Sequence, residues 1–348
     1  MDVIIRREGA VGHVSLHRPR ALNALTQDMC AAICAALLEW RDDPGVGAII
    51  LDHAEGRGFC AGGDVAMVRR SALDDGGLAG RAFFIAEYRL NHLLFTYPKP
   101  VIVFMDGVTM GGGVGLALPG RYRVATENTL FAMPEGAIGL FPDVGTGWYL
   151  PRLPGRIGQF LALTGARLDG AECLWAGLAT QYLPSEHLTA LKARLCDETS
   201  DIDEALRALA PIDAPPARLI SNAERIARLF ASDRLEDIVA SLANDPSRWA
   251  TKELAAVTGK CPTTAKVALR LLASTPADFA AEMVREFRLA ARMIMRPDFA
   301  EGVRAVLIDK DGAARWDPAR PEDVNEAMLD AIFAPLPADE EWTPFPAS

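Results

Sequence analysis

The sequence lacks the patterns that mark a metal centre or a nucleotide-phosphate loop. Its six cysteines form no CxxC pair, and no group of His and Cys residues has the spacing of metal ligands. It contains neither a GxxxxGKS/T motif nor a GxSxG motif. We therefore expect cysteines that are reduced and mostly buried, no bound metal, and neither a P-loop nor a nucleophile elbow.

Long apolar runs and a basic excess are missing as well. The uncharged run between Asp106 and Arg121 is rich in glycine and shorter than the ~20 apolar residues that a membrane span needs. The chain carries 36 Lys and Arg against 46 Asp and Glu, a formal net charge of −10, whereas nucleic-acid surfaces carry a basic excess. We expect neither a membrane partner nor a nucleic-acid partner.

The first residues, "MDVIIRREGAVGHVSLHRP", alternate in polarity like a strand. They show neither a basic segment followed by an apolar one nor an Arg-rich amphipathic leader. This pattern predicts a cytoplasmic protein.

Strands and helices alternate along the first part of the chain. Alternating polarity predicts a hairpin of residues 4–8 and 11–16, helical spacing predicts a helix over 27–41, and "GAIILDH" and "KPVIVFMDG" have the composition of buried strands. This order predicts an α/β fold whose loops gather at one side. Beyond Cys196 the pattern is helical, so we expect a core at 1–200, an α-helical region at 201–348, and a Pro-rich tail that follows the surface or frays.

Two glycine-rich loops follow predicted strands. The first, "GRGFCAGGD", contains a loose GxGxxA match to a dinucleotide-binding turn. Because the match begins three residues beyond the predicted strand, we favour instead a loop whose glycines allow close approach of its backbone. The second, the triplet at 111–113, precedes "VGLAL" and starts a predicted helix, whose unpaired N–H groups suit a developing oxyanion. Spacing alone is equally compatible with plain packing of this helix against a strand.

Two acids stand eight positions apart in the apolar run "FAMPEGAIGLFPDVGTG", and each directly follows a proline. Proline disfavours a continuous helix, so Glu135 and Asp143 are each predicted to lie on a defined turn. Apolar surroundings would raise a carboxyl pKa from about 4.3 toward the range useful to a general base. The alternative is that both acids cap helices or pair with Arg121 or Arg123.

Longer runs carry a family resemblance. The segments "GFCAGGD", "DGVTMGGGVGLAL", "FAMPEGAIGLFPDVGTGWYLPRL" and "FLALTGARLDGAECLWAGLAT" resemble the crotonase (enoyl-CoA hydratase/isomerase) superfamily and, within it, the 3-hydroxyisobutyryl-CoA hydrolase family. "FAEGVRAVLIDKD" extends the resemblance over nearly the whole chain. It implies a spiral of ββα turns, followed by helices that cover the site or mediate contacts in a homo-oligomer. It also implies an acyl-CoA substrate, with coenzyme A as part of that substrate and no separate cofactor.

The resemblance also implies roles for individual residues. The backbone N–H groups of Gly63 and Gly112 would form an oxyanion hole. Glu135 would attack the thioester or activate water, while Asp143 would shuttle protons or orient the 3-hydroxyl. Glu87 would contact the substrate hydroxyl, although a surface helix Glu is the alternative. Further positions implied near the substrate are Ala61, Gly62 and Asp64, with Arg18, Arg20 or Arg57 as candidate phosphate partners.

Three acid positions select the reaction within the superfamily. Hydratases of the superfamily carry Glu, and dienoyl-CoA isomerases carry Asp, where this sequence has Gly115; the hydrolases have Gly there and keep both later acids. The resemblance therefore implies hydrolysis of a short 3-hydroxyacyl-CoA, most naturally in valine breakdown. An isomerase or hydratase, and a non-enzymatic interaction protein, are the alternatives. Gly136 and Thr146 depart from the hydrolase pattern, which leaves open the choice between 3-hydroxyisobutyryl and 3-hydroxypropionyl groups.

Overall fold

A computed structural model describes residues 2–197, 201–209 and 215–346. The strands are β1 (Val3–Glu8), β2 (Val11–Leu16), β3 (Ala48–His53), β4 (Gly58–Cys60), β5 (Val101–Met105), β6 (Val108–Met110), β7 (Tyr122–Ala125), β8 (Leu130–Ala132) and β9 (Gln181–Tyr182). The α-helices are α1 (Gln27–Arg41), α2 (Val65–Asp74), α3 (Leu78–Phe95), α4 (Gly112–Ala117), α5 (Thr146–Tyr149), α6 (Ile157–Thr164), α7 (Gly170–Ala176), α8 (Leu188–Leu195), α9 (Ile202–Leu209), α10 (Ala223–Leu229), α11 (Leu235–Asn244), α12 (Arg248–Thr258), α13 (Pro262–Leu272), α14 (Phe279–Met293), α15 (Pro297–Val303) and α16 (Glu326–Phe333). A π-helix covers Arg304–Ile308.

Two sheets organise the strands. The larger has the order β1-β2-β3-β5-β7-β9, in which β1 and β2 form an antiparallel hairpin and the other pairs are parallel. The smaller has the order β4-β6-β8. Successive strands alternate between the sheets, β3 then β4, β5 then β6, and β7 then β8, and a helix follows each pair along the chain. The expected α/β fold with repeated ββα turns is confirmed.

The described chain divides into two compact units that interleave along the sequence. The first unit comprises Met1–Gly63, Arg89–Phe131 and Arg167–Leu219, and the second comprises Asp64–Tyr88, Ala132–Ala166 and Ile220–Ser348. The predicted boundary at residue 200 does not coincide with these limits, because the first unit continues to Leu219 and the second takes two segments from the earlier half of the chain. The local residue pattern shows where strands give way to helices along the chain, whereas the limits of a compact unit depend on contacts between distant segments.

The core of the first unit lies between the larger sheet and two helices. Ile50, Ile102 and Phe104 of the sheet pack with Leu191 of α8 and Leu206 of α9, and all five side chains are buried. The strands β2 and β5 are buried along their whole length. Continuous burial is typical of parallel strands that are covered on both faces.

Helix α14 is a central element of the second unit. Asp278 caps it by accepting a hydrogen bond from the N–H of Ala281 at 2.8 Å. The carboxyl-terminal tail packs in the same unit: Trp342 is 2% exposed, and its indole N–H donates to the carbonyl of Ile85 at 3.4 Å. Glu341 accepts a hydrogen bond from Arg288 at 2.8 Å. The tail follows the surface as expected, since of residues 334–346 only Trp342 is buried, but it does not fray there because the indole ring and its N–H anchor it.

The predicted amino-terminal hairpin, the first predicted helix and the burial of most cysteines are confirmed. The hairpin and the helix form at the predicted positions, as β1, β2 and α1. The six cysteines are free and all but Cys196 are buried.

Within the described residues, no group of His, Cys, Asp and Glu is arranged to hold a metal ion. No helix of the described part of the chain has the length and apolar character to cross a membrane.

Candidate active site

The two glycine loops lie side by side in the first unit. Parallel pairing of β4 with β6 places the loops that follow these strands at the same end of the small sheet. Gly62 has φ +120°, and a Cβ on it would lie 3.7 Å from the backbone nitrogen of Gly112. The residues predicted as oxyanion donors, Gly63 and Gly112, are thus brought to neighbouring loops.

The glycine triplet also allows close packing. A Cβ on Gly113 would lie 2.2 Å from the carbonyl oxygen of Cys60, so only glycine lets the start of α4 contact β4 at this distance. Gly112 is the first residue of α4, a position at which the backbone N–H has no acceptor within the helix. The alternative posed by the sequence, packing of helix against strand, therefore applies to Gly113 and is compatible with a donor role for Gly112.

The loop before α2 is fixed by its own hydrogen bonds. The N–H of Ala61 donates to the carbonyl of Leu22 at 3.0 Å. The Asp64 side chain caps α2 by accepting from the N–H of Met67 at 3.1 Å. These bonds give Ala61 and Asp64 structural roles, and their contact with a substrate stays a prediction.

The arginines proposed for phosphate binding also lie in the first unit. Arg20 and Arg57 are exposed. Arg18 donates to the carbonyl of Ala24 at 3.1 Å. Contact of these three side chains with a CoA phosphate stays a prediction.

The predicted acids meet in the second unit. Glu135 begins a 3₁₀ helix, Glu135–Ala137, and Asp143 lies on the turn before α5, so each occupies a turn as the prolines indicated. Glu87 of α3 is 2% exposed, which makes the surface-helix alternative for this residue wrong. Glu135 Oε2 and Glu87 Oε1 are buried and have no hydrogen-bond partner among the described residues. Buried, unpartnered carboxylate oxygens are costly in a fold and are typical of sites that bind a polar ligand.

Burial and mutual repulsion set the protonation of these acids. Burial raises the pKa of Glu135 well above its ordinary value, and the charge of Asp143 adds to the effect. Burial likewise raises the pKa of Glu87, with contributions from the charges of Asp143 and Glu135. Burial raises the pKa of Asp143 to about 6 against the lowering effect of a hydrogen bond from Tyr88. A dominant arginine partner would have lowered these pKa values, so the ion-pair alternative does not describe their environment.

Two residues of this cluster were not singled out from the sequence. The Tyr88 hydroxyl donates to Asp143 Oδ2 at 2.7 Å. Glu286 of α14, fully buried, accepts hydrogen bonds from the N–H groups of Gly145 and Gly147 in the segment after Asp143. Tyr88 directly follows Glu87 in α3, a signal that was available. Glu282 and Glu286 stand one turn apart on the face of α14 that also carries buried Met283, a weaker signal.

The family model described as enoyl-CoA hydratase/isomerase matches residues 11–333. The chain belongs to this family. The 3-hydroxyisobutyryl-CoA hydrolase, mitochondrial, of Gallus gallus is 42% identical over 348 residues, which cover 96% of this chain and 89% of that protein. The Homo sapiens protein of the same name is 39% identical over 344 residues, with 96% and 89% coverage.

Solved structures show the same fold. A carnitinyl-CoA dehydratase from Mycobacterium thermoresistibile matches with a TM-score of 0.92 and 36% identity over 98% of each chain. An enoyl-CoA hydratase from Rhodobacter sphaeroides 2.4.1 matches with a TM-score of 0.90 and 39% identity, covering 99% of this chain and 100% of that one. The crotonase-like fold implied by the sequence resemblance is confirmed.

Proposed function

We propose that the protein hydrolyses the thioester of a short 3-hydroxyacyl-CoA, most naturally 3-hydroxyisobutyryl-CoA, to 3-hydroxyisobutyrate and free coenzyme A. The proposal is supported by relatives of 39% and 42% identity that carry this activity in their names. The observation that carries it in this chain is the buried pair Glu135 and Asp143, combined with glycine rather than an acid at position 115. The reaction belongs to a pathway such as valine breakdown.

Hydrolysis places a negative charge on the thioester oxygen. Attack at the carbonyl carbon forms a tetrahedral intermediate, whose oxyanion needs hydrogen-bond donors in fixed positions. The N–H groups of Gly63 and Gly112 in the first unit are the donors we propose. In other enzymes the loss of one such donor costs roughly 2.7–4 kcal/mol of transition-state stabilisation.

Glu135 supplies the attacking chemistry by one of two routes. As a general base, Glu135 takes a proton from water while the resulting hydroxide adds to the carbonyl carbon. Collapse of the tetrahedral intermediate then breaks the C–S bond, and the departing thiolate takes a proton. As a nucleophile, it forms a mixed anhydride and releases the thiol, and water then opens the anhydride. Both routes consume one water and yield one acid and one thiol. Asp143 carries protons between these steps or orients the 3-hydroxyl, and Glu87 binds that hydroxyl.

Thiol release tests the reaction directly. Purified protein is mixed with 3-hydroxyisobutyryl-CoA while free thiol is measured, and the absorbance of crotonyl-CoA is followed in parallel. We expect rapid thiol release and an unchanged enoyl signal. A falling crotonyl-CoA absorbance without thiol release would favour alkene chemistry. This second candidate is supported by the likeness to a carnitinyl-CoA dehydratase and an enoyl-CoA hydratase of known structure.

Substitution of Glu135 tests the assignment of the catalytic acid. The change Glu135→Gln preserves shape but removes charge and nucleophilicity, so hydrolysis should fall by several orders of magnitude while acyl-CoA still binds. Glu253→Gln is the matched control, because Glu253 is also a buried helical Glu of the second unit but pairs with Lys252. Activity of the Glu135 variant within a few-fold of the parent would refute the assignment.

Isotope labelling separates the two routes. In single-turnover hydrolysis in heavy-oxygen water, opening of an anhydride at the enzyme carbonyl leaves label in Glu135, whereas the general-base route leaves none. Mass spectrometry of the peptide that contains Glu135 reads the difference.

We further propose a cytoplasmic homo-oligomer that uses no cofactor. The animal relatives cited above carry the word mitochondrial in their names, so cell fractionation is the test of the compartment. Analytical ultracentrifugation tests the oligomer, and a monomer at micromolar concentration would contradict it. Undiminished thiol release after extensive dialysis against a chelator would support the absence of a metal or cofactor requirement.

A further inference from the structure

We propose that Glu286 is a positioning residue for Asp143: its carboxyl group holds the backbone that follows Asp143 and thereby fixes the direction of the Asp143 side chain. The inference rests on the role given to Asp143 in the proposed function. It adds a residue 143 positions further along the chain, on helix α14, to the group that determines the reaction.

The contact between Glu286 and the turn is two-pronged. Glu286 Oε2 accepts a hydrogen bond from the N–H of Gly145 at 2.7 Å, and Oε1 accepts one from the N–H of Gly147 at 3.0 Å. The Glu286 side chain is fully buried. Two backbone donors on one carboxyl group restrict both its own rotation and the path of the chain that it binds. Without this acceptor, two N–H groups at the start of α5 would lose their partners.

The turn at residues 143–146 has a backbone conformation that other contacts must hold in place. Val144 has φ +58°, a left-handed conformation that a β-branched side chain adopts only under constraint, and Gly145 follows with φ +89°. The Thr146 N–H donates to the Asp143 carbonyl at 3.1 Å and closes the turn. Asp143 is therefore held at two ends, its side chain by Tyr88 and its backbone by the segment bound to Glu286.

Several charged and titratable groups surround this contact, and they lie on several elements. Those that interact with Glu286 or Asp143 are Glu87 and Tyr88 of α3, Glu135 of the 3₁₀ helix and Glu282 of α14. The two arginines Arg152 and Arg285 act on Glu282. Burial raises the pKa of Glu286, and the charges of Glu282 and Asp143 raise it further. A protonated carboxyl group keeps lone pairs on both oxygens, so Oε1 and Oε2 of Glu286 can both accept from the backbone in either protonation state, and the positioning role does not depend on titration of Glu286.

The test uses the change Glu286→Gln in the full chain. The amide keeps the volume but replaces one acceptor oxygen by an NH₂ group, which cannot accept from a backbone N–H. We expect kcat for thiol release to fall by about 10–100-fold, as for a misplaced catalytic group, with KM within about two-fold of the parent. Glu253→Gln is again the control and should leave both constants unchanged.

A double-variant cycle separates positioning from general damage to the fold. If Glu286 acts through Asp143, then adding Glu286→Gln to the Asp143→Asn variant should lower kcat for thiol release by less than about two-fold. Equal loss in both backgrounds would overturn the proposal. Melting curves of all variants accompany the kinetics, and if Glu286→Gln fails to fold, Glu286→Asp, which keeps the carboxylate on a shorter side chain, serves in its place with the same expectation.

A ligand-free measurement keeps this inference separate from the proposed reaction. Titration of the Asp143 carboxyl carbon by NMR should show a pKa of about 6 in the parent and a lower value in Glu286→Gln, since a relaxed turn exposes the carboxyl to water. A parent protein that releases no thiol would refute the proposed function, and this titration would still test the positioning. An unchanged Asp143 titration in the variant would refute the positioning.

Discussion

Replacement of Asp143 by asparagine should impair turnover and, at the same time, stabilise the fold at neutral and alkaline pH. The reason is that the native protein keeps a carboxylate in a buried position, where ionisation is unfavourable. Asparagine has the same shape, and its side-chain oxygen can still accept the hydrogen bond that Tyr88 donates. The charge is removed, and with it the cost of burying that charge.

The size of the effect follows from the pKa. Burial raises the pKa of Asp143 from 3.8 to about 6 in the folded state. At about 1.4 kcal/mol per pH unit, the ionised carboxylate lowers the free energy of unfolding by about 3 kcal/mol above pH 7, which is an upper bound on the gain from Asp143→Asn. The folded form binds the proton more tightly than the unfolded form, so the penalty develops as pH rises from 3.8 through about 6. At pH 4, close to the ordinary pKa of 3.8, most of this penalty is absent.

Urea unfolding or thermal melting at pH 4 and pH 8 measures this dependence. For a chain of 348 residues, about 3 kcal/mol corresponds to a rise in Tm of about 4 °C at pH 8. Asp74→Asn, at an exposed position in the same unit, is the control and should show no such pH dependence. A variant that is no more stable than the parent at pH 8, or whose difference is the same at both pH values, would refute the reasoning.

Three further changes test other parts of the structure. Tyr88→Phe removes the hydrogen bond that lowers the pKa of Asp143, so the acid limb of the pH–rate profile should move to higher pH. Activity should therefore fall more at pH 6 than at pH 8, and an equal loss of activity at the two pH values would contradict this. Gly113→Ala places a Cβ 2.2 Å from the Cys60 carbonyl oxygen and should cost about 1–3 kcal/mol of stability, which a melting curve would measure. Trp342→Ala should lower stability by up to about 3–5 kcal/mol if the tail is anchored as described, whereas an unchanged Tm would show that the tail contributes little.

Elements with strong local periodicity could be predicted from the sequence. Helix α1 begins and ends at the predicted residues because Met29, Ile33 and Leu37 recur on one face, and because Thr26 accepts a capping hydrogen bond from the N–H of Met29 at 3.2 Å. Strand β6 was missed because three residues are too few to show a period; the sequence indicated a strand leading directly into the glycine turn.

The acid pair could be anticipated because two prolines and a family pattern mark it, but Glu286, which binds the turn after Asp143, could not. Glu286 stands in an amphipathic helix, and its sequence context does not distinguish a solvent-facing Glu from one that faces a backbone turn. The choice depends on which face of α14 packs inward, and distant segments decide that. Trp342 is a similar case, since its proline-rich, acidic surroundings are typical of an exposed tail.

Because the two compact units interleave along the sequence, the second unit cannot fold completely while the nascent chain is still being synthesised up to its last segment. The segments Asp64–Tyr88 and Ala132–Ala166 are synthesised well before Ile220–Ser348, which completes the same unit. At about 5–20 residues per second, the Tyr88 ring and its neighbours wait roughly ten seconds or more for Phe287 of α14, the aromatic partner at 6.5 Å between ring centroids. During that interval the apolar and acidic side chains of these segments are exposed to solvent. A chaperone that shields the nascent chain would therefore be expected to act before α14 emerges, and catalytic competence would arrive only after α14 has been synthesised.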